Sequence, residues 1–200
     1  MTTTNRLDAD LNPRGPKNRR ELRQFLAEDL AAYIHHRQFP VRGWRSLDWI
    51  RFPVIGWQRL LRKTEYVVNS KRGQLWKPYA AWRKGRFLWT SLLLNLEIPL
   101  NVFGPGLTIA HHGSIVVHQD VRAGSRCRIH PGTCLGIAKE GTPLLSDDVY
   151  LGNGSLVAGD VVIGDHVVIG PHSLVRHSLE DDATCFAEEA VIRPPANVSI

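Results

Sequence analysis

The sequence has few cysteines, no long apolar run and no tryptophan in its second half. Its three cysteines share no metal-ligand spacing, and an odd number leaves one thiol unpaired, so we expect a reducing, cytoplasmic compartment rather than a disulfide framework. The most apolar run, FLWTSLLLNLEIPLNVF, is interrupted by Glu97 and Pro99 and is shorter than the roughly 20 residues that a membrane span needs. These absences exclude a disulfide scaffold and a membrane-spanning protein.

Charge and tryptophan are unevenly divided along the chain. Residues 1–100 hold 19 Lys and Arg against 8 Asp and Glu, whereas residues 101–200 hold 6 against 11, and all six tryptophans lie in the first half. The two halves are therefore predicted to be different structural units. Residues 1–20 are polar and lack the apolar segment of a signal peptide, so we expect them to form a flexible leader.

Helical periodicity dominates the first half. In ELRQFLAEDLAAYIHHR, which starts at Glu21, apolar residues recur close to the helical period, and Pro40 ends the pattern. From Trp44 onwards the pattern is looser, and Pro53 and Gly56 predict interruptions between short helices. We predict an α-helical N-terminal element over residues 21–95. Its tryptophans are expected to pack against the second half, with peripheral contact of this basic half to a membrane surface as the alternative.

A six-residue period runs through the second half, broken once by a step of ten. Such a period predicts a solenoid in which each hexapeptide forms one short strand and turn, and three hexapeptides form one triangular coil. The step of ten, in IAKEGT, predicts a bulge of four extra residues, which in a regular solenoid usually lies on the working face. The recurring apolar residues are Val117, Ala123, Ile129, Leu135, Leu145, Leu151, Val157, Ile163, Ile169 and Val175.

The repeat, together with GPGLTIAHHGSIVV and DDVYLGNGSLVAGDVVIGDHVVIG, resembles the hexapeptide-repeat acyltransferases, and among them the serine O-acetyltransferase family. The resemblance covers residues 96–195 and leaves 196–200 as a tail. It implies a left-handed parallel β-helix, a homotrimer or a dimer of trimers, and acetyl-CoA bound in the groove between subunits. We expect neither a metal nor a nucleic-acid partner.

The resemblance also implies a general base. His111 stands before the Ile-Val-Val run at 115–117 with the family's spacing. An imidazole suits the role because its pKa lies near neutrality, so it can take the proton of an acceptor hydroxyl and return one to the leaving thiol. Adjacent residues of an extended segment point to opposite sides, so His112 is expected to flank the site. The family's acidic partner of the base corresponds to Glu97, one residue short of the family pattern.

Further contacts are carried over from the family residue by residue. Proline has no N–H to offer a ligand, so the contact expected at Pro171 departs from the family pattern. Acetyl-CoA contacts are predicted at Gly136, Asn153, Pro171, Arg176 and Arg193, and acceptor contacts at His112, His130 and Thr142.

Two departures from the serine acetyltransferases bear on the acceptor. Gly141-Thr142-Pro143 stands where those enzymes carry an Arg-His-Pro that grips the serine carboxylate, and an Asp-Arg-Asp-Pro-Ala segment of their helical domain is missing. Charge-assisted contacts to a carboxylate are the strong ones, so their loss weakens recognition of serine. The short framework looks like family members of capsule and exopolysaccharide pathways. A sugar or glycoconjugate hydroxyl is therefore the predicted acceptor, with L-serine in cysteine biosynthesis as the alternative.

Three other interpretations stay open at the level of sequence. Some left-handed β-helices hold zinc with three histidines, and His172 and His177 have a suitable spacing, although no third histidine shows the expected relation to them. Cys134 resembles a nucleophile but, within a repeat, fits a small buried hydrophobe better. A solenoid that has lost activity and binds a partner through its helical half is the non-enzymatic alternative.

Overall fold

The structure is a computed structural model and describes residues 15–71, 73–138 and 141–188. Helices come first and short parallel strands follow, as the change of period at the middle of the chain predicts. The predicted fold class, a parallel β-helix of hexapeptide repeats preceded by helices, is confirmed.

The helices of the described residues are α1 (Arg19–His35), α2 (Asp48–Arg51), α3 (Pro53–Ser70), a 3-10 helix (Gln74–Trp76) and α4 (Lys77–Leu94). Helix α1 starts where Asn18 accepts a hydrogen bond of 2.9 Å from the backbone N–H of Glu21, a side-chain cap for an otherwise unpaired donor. The helix predicted from Glu21 is thus present. In the described part of the chain, no helix is both long and apolar enough to cross a membrane.

The looser pattern after Trp44 contains one long helix, and the interruption predicted at Gly56 is wrong. The break at Pro53 is present, because α2 ends just before it and α3 begins at this proline, whose missing N–H is tolerated in the first turn. Helix α3 then runs through Gly56. A Cβ at Gly56 would lie 2.5 Å from Cε3 of Trp49, so this glycine allows close packing of the tryptophan on the helix.

The strands stack into three parallel sheets, one for each side of a triangular coil. Sheet A contains β1 (Leu96–Glu97), β3 (Ile115–Val117), β6 (Cys134–Gly136), β9 (Leu156–Ala158) and β12 (Leu174–Val175). Sheet B contains β4 (Arg122–Ala123), β7 (Leu144–Leu145) and β10 (Val162–Ile163). Sheet C contains β2 (Thr108–Ile109), β5 (Arg128–Ile129), β8 (Tyr150–Leu151), β11 (Val168–Ile169) and β13 (Thr184–Cys185).

The register of sheet A confirms the predicted bulge. Val116 pairs with Cys134, and Leu156 pairs with Leu174, so in both pairs the partners are separated by three hexapeptides of sequence. The pair between them, Cys134 with Leu156, spans three hexapeptides and four additional residues. Three hexapeptides therefore make one coil, and the additional residues lie in the loop between β6 and β7.

The core follows the six-residue period. All ten residues of that series are buried, and the pairs two residues apart, such as Val121 with Ala123 and Val167 with Ile169, face inward together. Burial of one large apolar side chain contributes about 1.5–3 kcal/mol, so this continuous column is the main source of stability in the solenoid.

A buried polar network holds the helical element against the first coil. Arg62 of α3 is fully buried and pairs with Asp29 of α1 at 2.9 Å and with Glu65 at 3.2 Å. It also donates to the backbone carbonyls of Phe103 at 2.9 Å and Gly104 at 2.6 Å. Burial alone would lower the pKa of Arg62, but the charges of Asp29 and Glu65 have the larger effect and raise this pKa. One cation thus joins two helices to the start of the solenoid.

Candidate active site

His111 and His112 lie in the turn from β2 to β3, at one corner of the first coil. This turn is expanded, because the inward-facing residues that flank it, Ile109 and Val117, are eight positions apart, against six at the same corner of the next coil. Both imidazoles are exposed, and neither forms a hydrogen bond or ion pair with another described residue. The two side chains are therefore available to a ligand.

The prediction that His111 and His112 point to opposite sides is wrong, because residues 111–113 form a bend and not an extended segment. Gly113 permits the bend with a φ of 146°, which residues with a side chain rarely adopt. Both histidines line one cavity of about 310 Å³ between this turn and the helical element. Geometry alone therefore does not select one of them, and the family's spacing is what favours His111.

Two side chains of the helical element hold the backbone just before His111. The hydroxyl of Tyr33 accepts a hydrogen bond of 3.0 Å from the N–H of Ile109, and the side-chain amide of Gln38 donates to the carbonyl of Ala110 at 2.5 Å. Burial raises the pKa of Tyr33, so its hydroxyl stays protonated; that hydroxyl also donates to Gln58 at 2.8 Å. The candidate base is thus positioned from outside the solenoid.

Arg128 and His130 lie beside this turn, on the outer face of sheet C. The Nε of Arg128 donates to Nε2 of His130 at 3.3 Å, and its guanidinium also donates to Oε1 of Gln38 at 3.4 Å. The pKa of His130 is lowered, mainly by burial, then by the charge of Arg128 and then by His111. Within the described residues Arg128 has no carboxylate partner, so a half-buried positive charge lies close to the candidate base.

A second cavity, of about 500 Å³, adjoins this cluster between α1 and sheet C. Its walls include Ala31, His36, Arg128 and Tyr150, and the rings of Tyr150 and His130 lie 5.0 Å apart. Most of the surface of the cavity is apolar, and charged side chains of both signs, among them Glu28, Arg128 and Asp148, line it as well.

Glu97, the predicted orienting acid, lies in β1 opposite Val116 of β3. Its side chain is exposed and lines a groove of about 450 Å³ between the end of α4 and β1. Within the described part of one chain it forms no hydrogen bond with His111. Its role in orienting the base stays a prediction.

Two of the predicted acetyl-CoA contacts share the corner of His111. Asn153 and Pro171 lie in successive turns from sheet C to sheet A, below the His111 turn, and both are exposed. The N–H of His172 donates to the carbonyl of Asn153 at 2.8 Å, which stacks these turns on each other. The corner thus forms one continuous edge of the solenoid.

Other predicted contacts lie at the opposite edge of sheet A. Gly136 ends β6, in register with Ala158, and Arg176 follows directly after β12. Thr142 lies at the exit of the loop and donates to the carbonyl of Asp120 at 3.3 Å. Arg193 lies outside the described residues. In a single chain, sheet A separates these residues from His111.

Sequence reasoning missed Tyr33, Gln38 and Arg128. The first two belong to the helical element, far along the chain from the turn that they hold, and no periodicity reports such a long-range contact. Arg128 occupies an outward position of the repeat, where any polar residue is acceptable. One signal was available, because the spacing of eight between Ile109 and Val117 breaks the six-residue period at the histidines.

No metal centre emerges from the described residues, where no three His, Cys, Asp or Glu side chains form a group that could hold a metal ion. His172 lies in a turn before β12 and His177 after it, and no third ligand joins them there.

Comparison with known proteins identifies the repeat. The family described as bacterial transferase hexapeptide (six repeats) matches residues 143–177. A serine acetyltransferase of Synechococcus elongatus is 33% identical over 98 residues, which is 46% of this chain and 40% of that protein. Residues 143–177 thus match a hexapeptide-repeat transferase family, and the chain is similar in sequence to a serine acetyltransferase. The resemblance predicted from the sequence is thus confirmed, although the chain spans only about two fifths of the length of this curated relative.

Solved structures of serine acetyltransferases share the fold of this hexapeptide-repeat chain. The enzyme of Neisseria gonorrhoeae in complex with serine matches with a TM-score of 0.64 at 20% identity, over 86% of this chain and 69% of that chain. A serine acetyltransferase in complex with CoA matches with a TM-score of 0.62 at 21% identity, over 83% and 67% of the two chains. At these identities the likeness concerns the fold.

Proposed function

We propose that this protein is an acetyl-CoA-dependent O-acetyltransferase that transfers acetyl directly to an acceptor hydroxyl. The observation that carries the proposal is an exposed imidazole, His111, on an expanded turn of a hexapeptide β-helix whose sequence resembles serine acetyltransferases. A relative in complex with CoA supports acetyl-CoA as the donor. An enzyme using this donor is expected in the cytoplasm.

In the proposed reaction the Nε2 or Nδ1 of His111 takes the proton of the acceptor hydroxyl as its oxygen attacks the thioester carbonyl. The carbon–sulfur bond then breaks, and the imidazolium returns the proton to the CoA thiolate. The products are an acetyl ester and free CoA thiol, and no acyl-enzyme is needed. Backbone N–H groups of the neighbouring turns are the candidate donors to the oxyanion.

A trimer is the proposed assembly, because one chain places its predicted site residues at opposite edges of sheet A. A neighbouring copy would bring its loop, with Gly136 and Thr142, to the corner of His111. The outward column of sheet A supports this contact, since Val116, Leu156 and Leu174 are 39%, 36% and 61% exposed. Exposed apolar stripes of this kind mark association surfaces.

A sugar or glycoconjugate hydroxyl is the first candidate acceptor. Thr142, with Gly141 and Pro143 on either side, offers no cation to a carboxylate at the loop exit, and a hydroxyl of a sugar needs none. L-serine is the second candidate. The relatives named as serine acetyltransferases favour it. A serine carboxylate would pair with Arg128, which is half-buried and has no carboxylate partner in the described residues.

A thiol-release assay with acetyl-CoA tests the proposal. L-serine, nucleotide sugars and glycans are compared as acceptors at one enzyme concentration, and each active pair is repeated with His111→Ala and His112→Ala. We expect turnover with one acceptor class and a loss of roughly 10²- to 10⁴-fold in His111→Ala, with a smaller change in His112→Ala. If His112→Ala is the inactive variant, the base has been assigned to the wrong histidine.

The non-enzymatic alternative predicts a different outcome. A scaffold without activity would release no thiol with any alcohol and would not bind CoA in a calorimetric titration. Both results together would overturn the proposal.

A further inference from the structure

A cluster of unpaired cations lies between helices α3 and α4, outside the residues that line the cavities of the candidate active site. Arg83 of α4 is only 8% exposed, yet its Nε and one terminal nitrogen are buried without any hydrogen-bond partner. Leaving a buried donor unpaired costs about 1–3 kcal/mol, and more for a charged group. A ligand that accepted hydrogen bonds from these nitrogens would remove this cost.

Three further cations surround Arg83. Arg59 and Lys63 project from α3, and Arg86 lies one turn after Arg83 on α4. Burial lowers the pKa of Lys63, and the charges of Arg59, Arg83 and Arg86 lower it further, which places each of the three guanidinium groups within electrostatic range of Lys63. In the described residues none of the four side chains forms an ion pair or hydrogen bond.

The acids of the helical element are already engaged elsewhere. Asp29 and Glu65 both pair with the buried arginine of the polar network, and Asp48 pairs with Arg42 at 2.6 Å. The other two acids of the described helices are Glu21 and Glu28. Their carboxylates accept hydrogen bonds from the side chains of Asn18 and Gln24. No carboxylate of the described helices therefore forms an ion pair with the cluster, and an anionic ligand would supply its counter-charge.

Aromatic and apolar side chains frame the cations. The guanidinium of Arg59 lies 5.0 Å from the ring of Trp44, and that of Arg86 lies 5.6 Å from Trp49 and 5.9 Å from Trp82. Next to these tryptophans, Leu47 and Ile50 are largely exposed. Basic residues interleaved with tryptophan and aliphatic side chains are typical of surfaces that bind the interface of a bilayer.

We propose that Arg59, Lys63, Arg83 and Arg86 form a phosphate-binding site for the headgroups of anionic phospholipids, with Leu47 and Ile50 entering the interface beside it. A phosphate carries several acceptor oxygens, and a guanidinium matches two of them at once. The charge of the site is complementary to a negatively charged leaflet. The site attaches the protein peripherally and is independent of the proposed acetyl transfer.

The test is sedimentation of the full-length protein with vesicles of phosphatidylglycerol and phosphatidylcholine, compared with pure phosphatidylcholine. We expect binding to the anionic vesicles alone, weakened about fivefold for each of Arg83→Gln and Arg86→Gln. Lys84→Gln is the matched control, because it removes one charge from an exposed position of the same helix. Equal weakening by Lys84→Gln and Arg83→Gln would indicate general basicity and overturn the site.

A stability measurement separates a binding role from a structural one. Arg83→Met removes an unpaired buried charge, so we expect it to raise the melting temperature of the protein without lipid while weakening vesicle binding. A lower melting temperature would mean that Arg83 supports the fold, and would contradict the proposal.

Calorimetry with inorganic pyrophosphate distinguishes the source of the phosphate. Binding of pyrophosphate that Arg83→Gln abolishes, in a protein that does not sediment with anionic vesicles, would overturn the lipid assignment in favour of a soluble phosphate ester. Absence of both kinds of binding would overturn the site itself. Neither result depends on whether the protein transfers acetyl groups.

Discussion

The side-chain amide of Gln38 lies 2.5 Å from the carbonyl oxygen of Ala110, the residue immediately before His111. Gln38 follows the end of α1, so this hydrogen bond connects the helical element with the turn of the candidate base. Its Oε1 also accepts from Arg128. The helical element therefore acts on the geometry of the site and does not only cap the solenoid.

Replacing Gln38 with alanine is expected to loosen the His111 turn. A small displacement of a catalytic group is enough to cost about tenfold to 10²-fold in rate, so kcat should fall by that range while KM for acetyl-CoA changes little. The measurement is steady-state thiol release. Gln24→Ala, at an exposed position of α1, is the control, and an unchanged kcat in Gln38→Ala would separate the helical element from catalysis.

Removal of Arg62 is expected to destabilise the protein strongly. Arg62→Met leaves Asp29 and Glu65 as uncompensated buried charges, and breaking a buried pair in this way costs about 3–5 kcal/mol. The free energy of unfolding, measured in urea at constant protein concentration, reports this loss.

A second variant tests the cause of that loss. The triple variant Asp29→Leu, Arg62→Met and Glu65→Leu removes all three charges, so it should be more stable than Arg62→Met alone. If both variants lose the same stability, the loss of packing and not the unpaired charge is responsible.

His130 is expected to make stability depend on pH. Its folded-state pKa is lowered, mainly by burial and then by Arg128, so the folded protein binds this proton less readily than the unfolded chain. The contribution of His130 to stability is complete above the pKa of the unfolded state, about 6.5. It is lost as pH falls through the lowered pKa of the folded state. Melting temperatures between pH 8 and 5 should decline less in His130→Gln, and parallel profiles would contradict the assignment.

The solenoid could be predicted from the sequence because its determinants are local and repeated. The apolar residue of every hexapeptide faces the core, and the step from Leu135 to Leu145 located the loop. The contacts that shape the candidate site were beyond such reasoning. Tyr33 and Gln38 reach the His111 turn through tertiary packing, and the bend at Gly113 places His112 beside His111, contrary to the alternation of an extended strand.

Glu97 provides the last prediction, which concerns the subunit from which the orienting acid comes. Glu97 forms no hydrogen bond with His111 in the described part of one chain, and it lies on sheet A, the face proposed to meet a neighbouring copy. We therefore expect Glu97 to orient the histidine of the neighbour, and Glu97→Gln to reduce kcat more mildly than His111→Ala. Glu180→Gln, at an exposed position, is the control for loss of a carboxylate.

Mixed oligomers decide between the two subunits. When Glu97→Gln and His111→Ala chains are refolded together, a site that takes its histidine from the first and its acid from the second has both native groups. If the acid acts between subunits, the mixture should exceed the averaged rate of the two separate variants. A rate equal to that average would place Glu97 and His111 in the same chain's site, and a wild-type rate in Glu97→Gln alone would remove Glu97 from the mechanism.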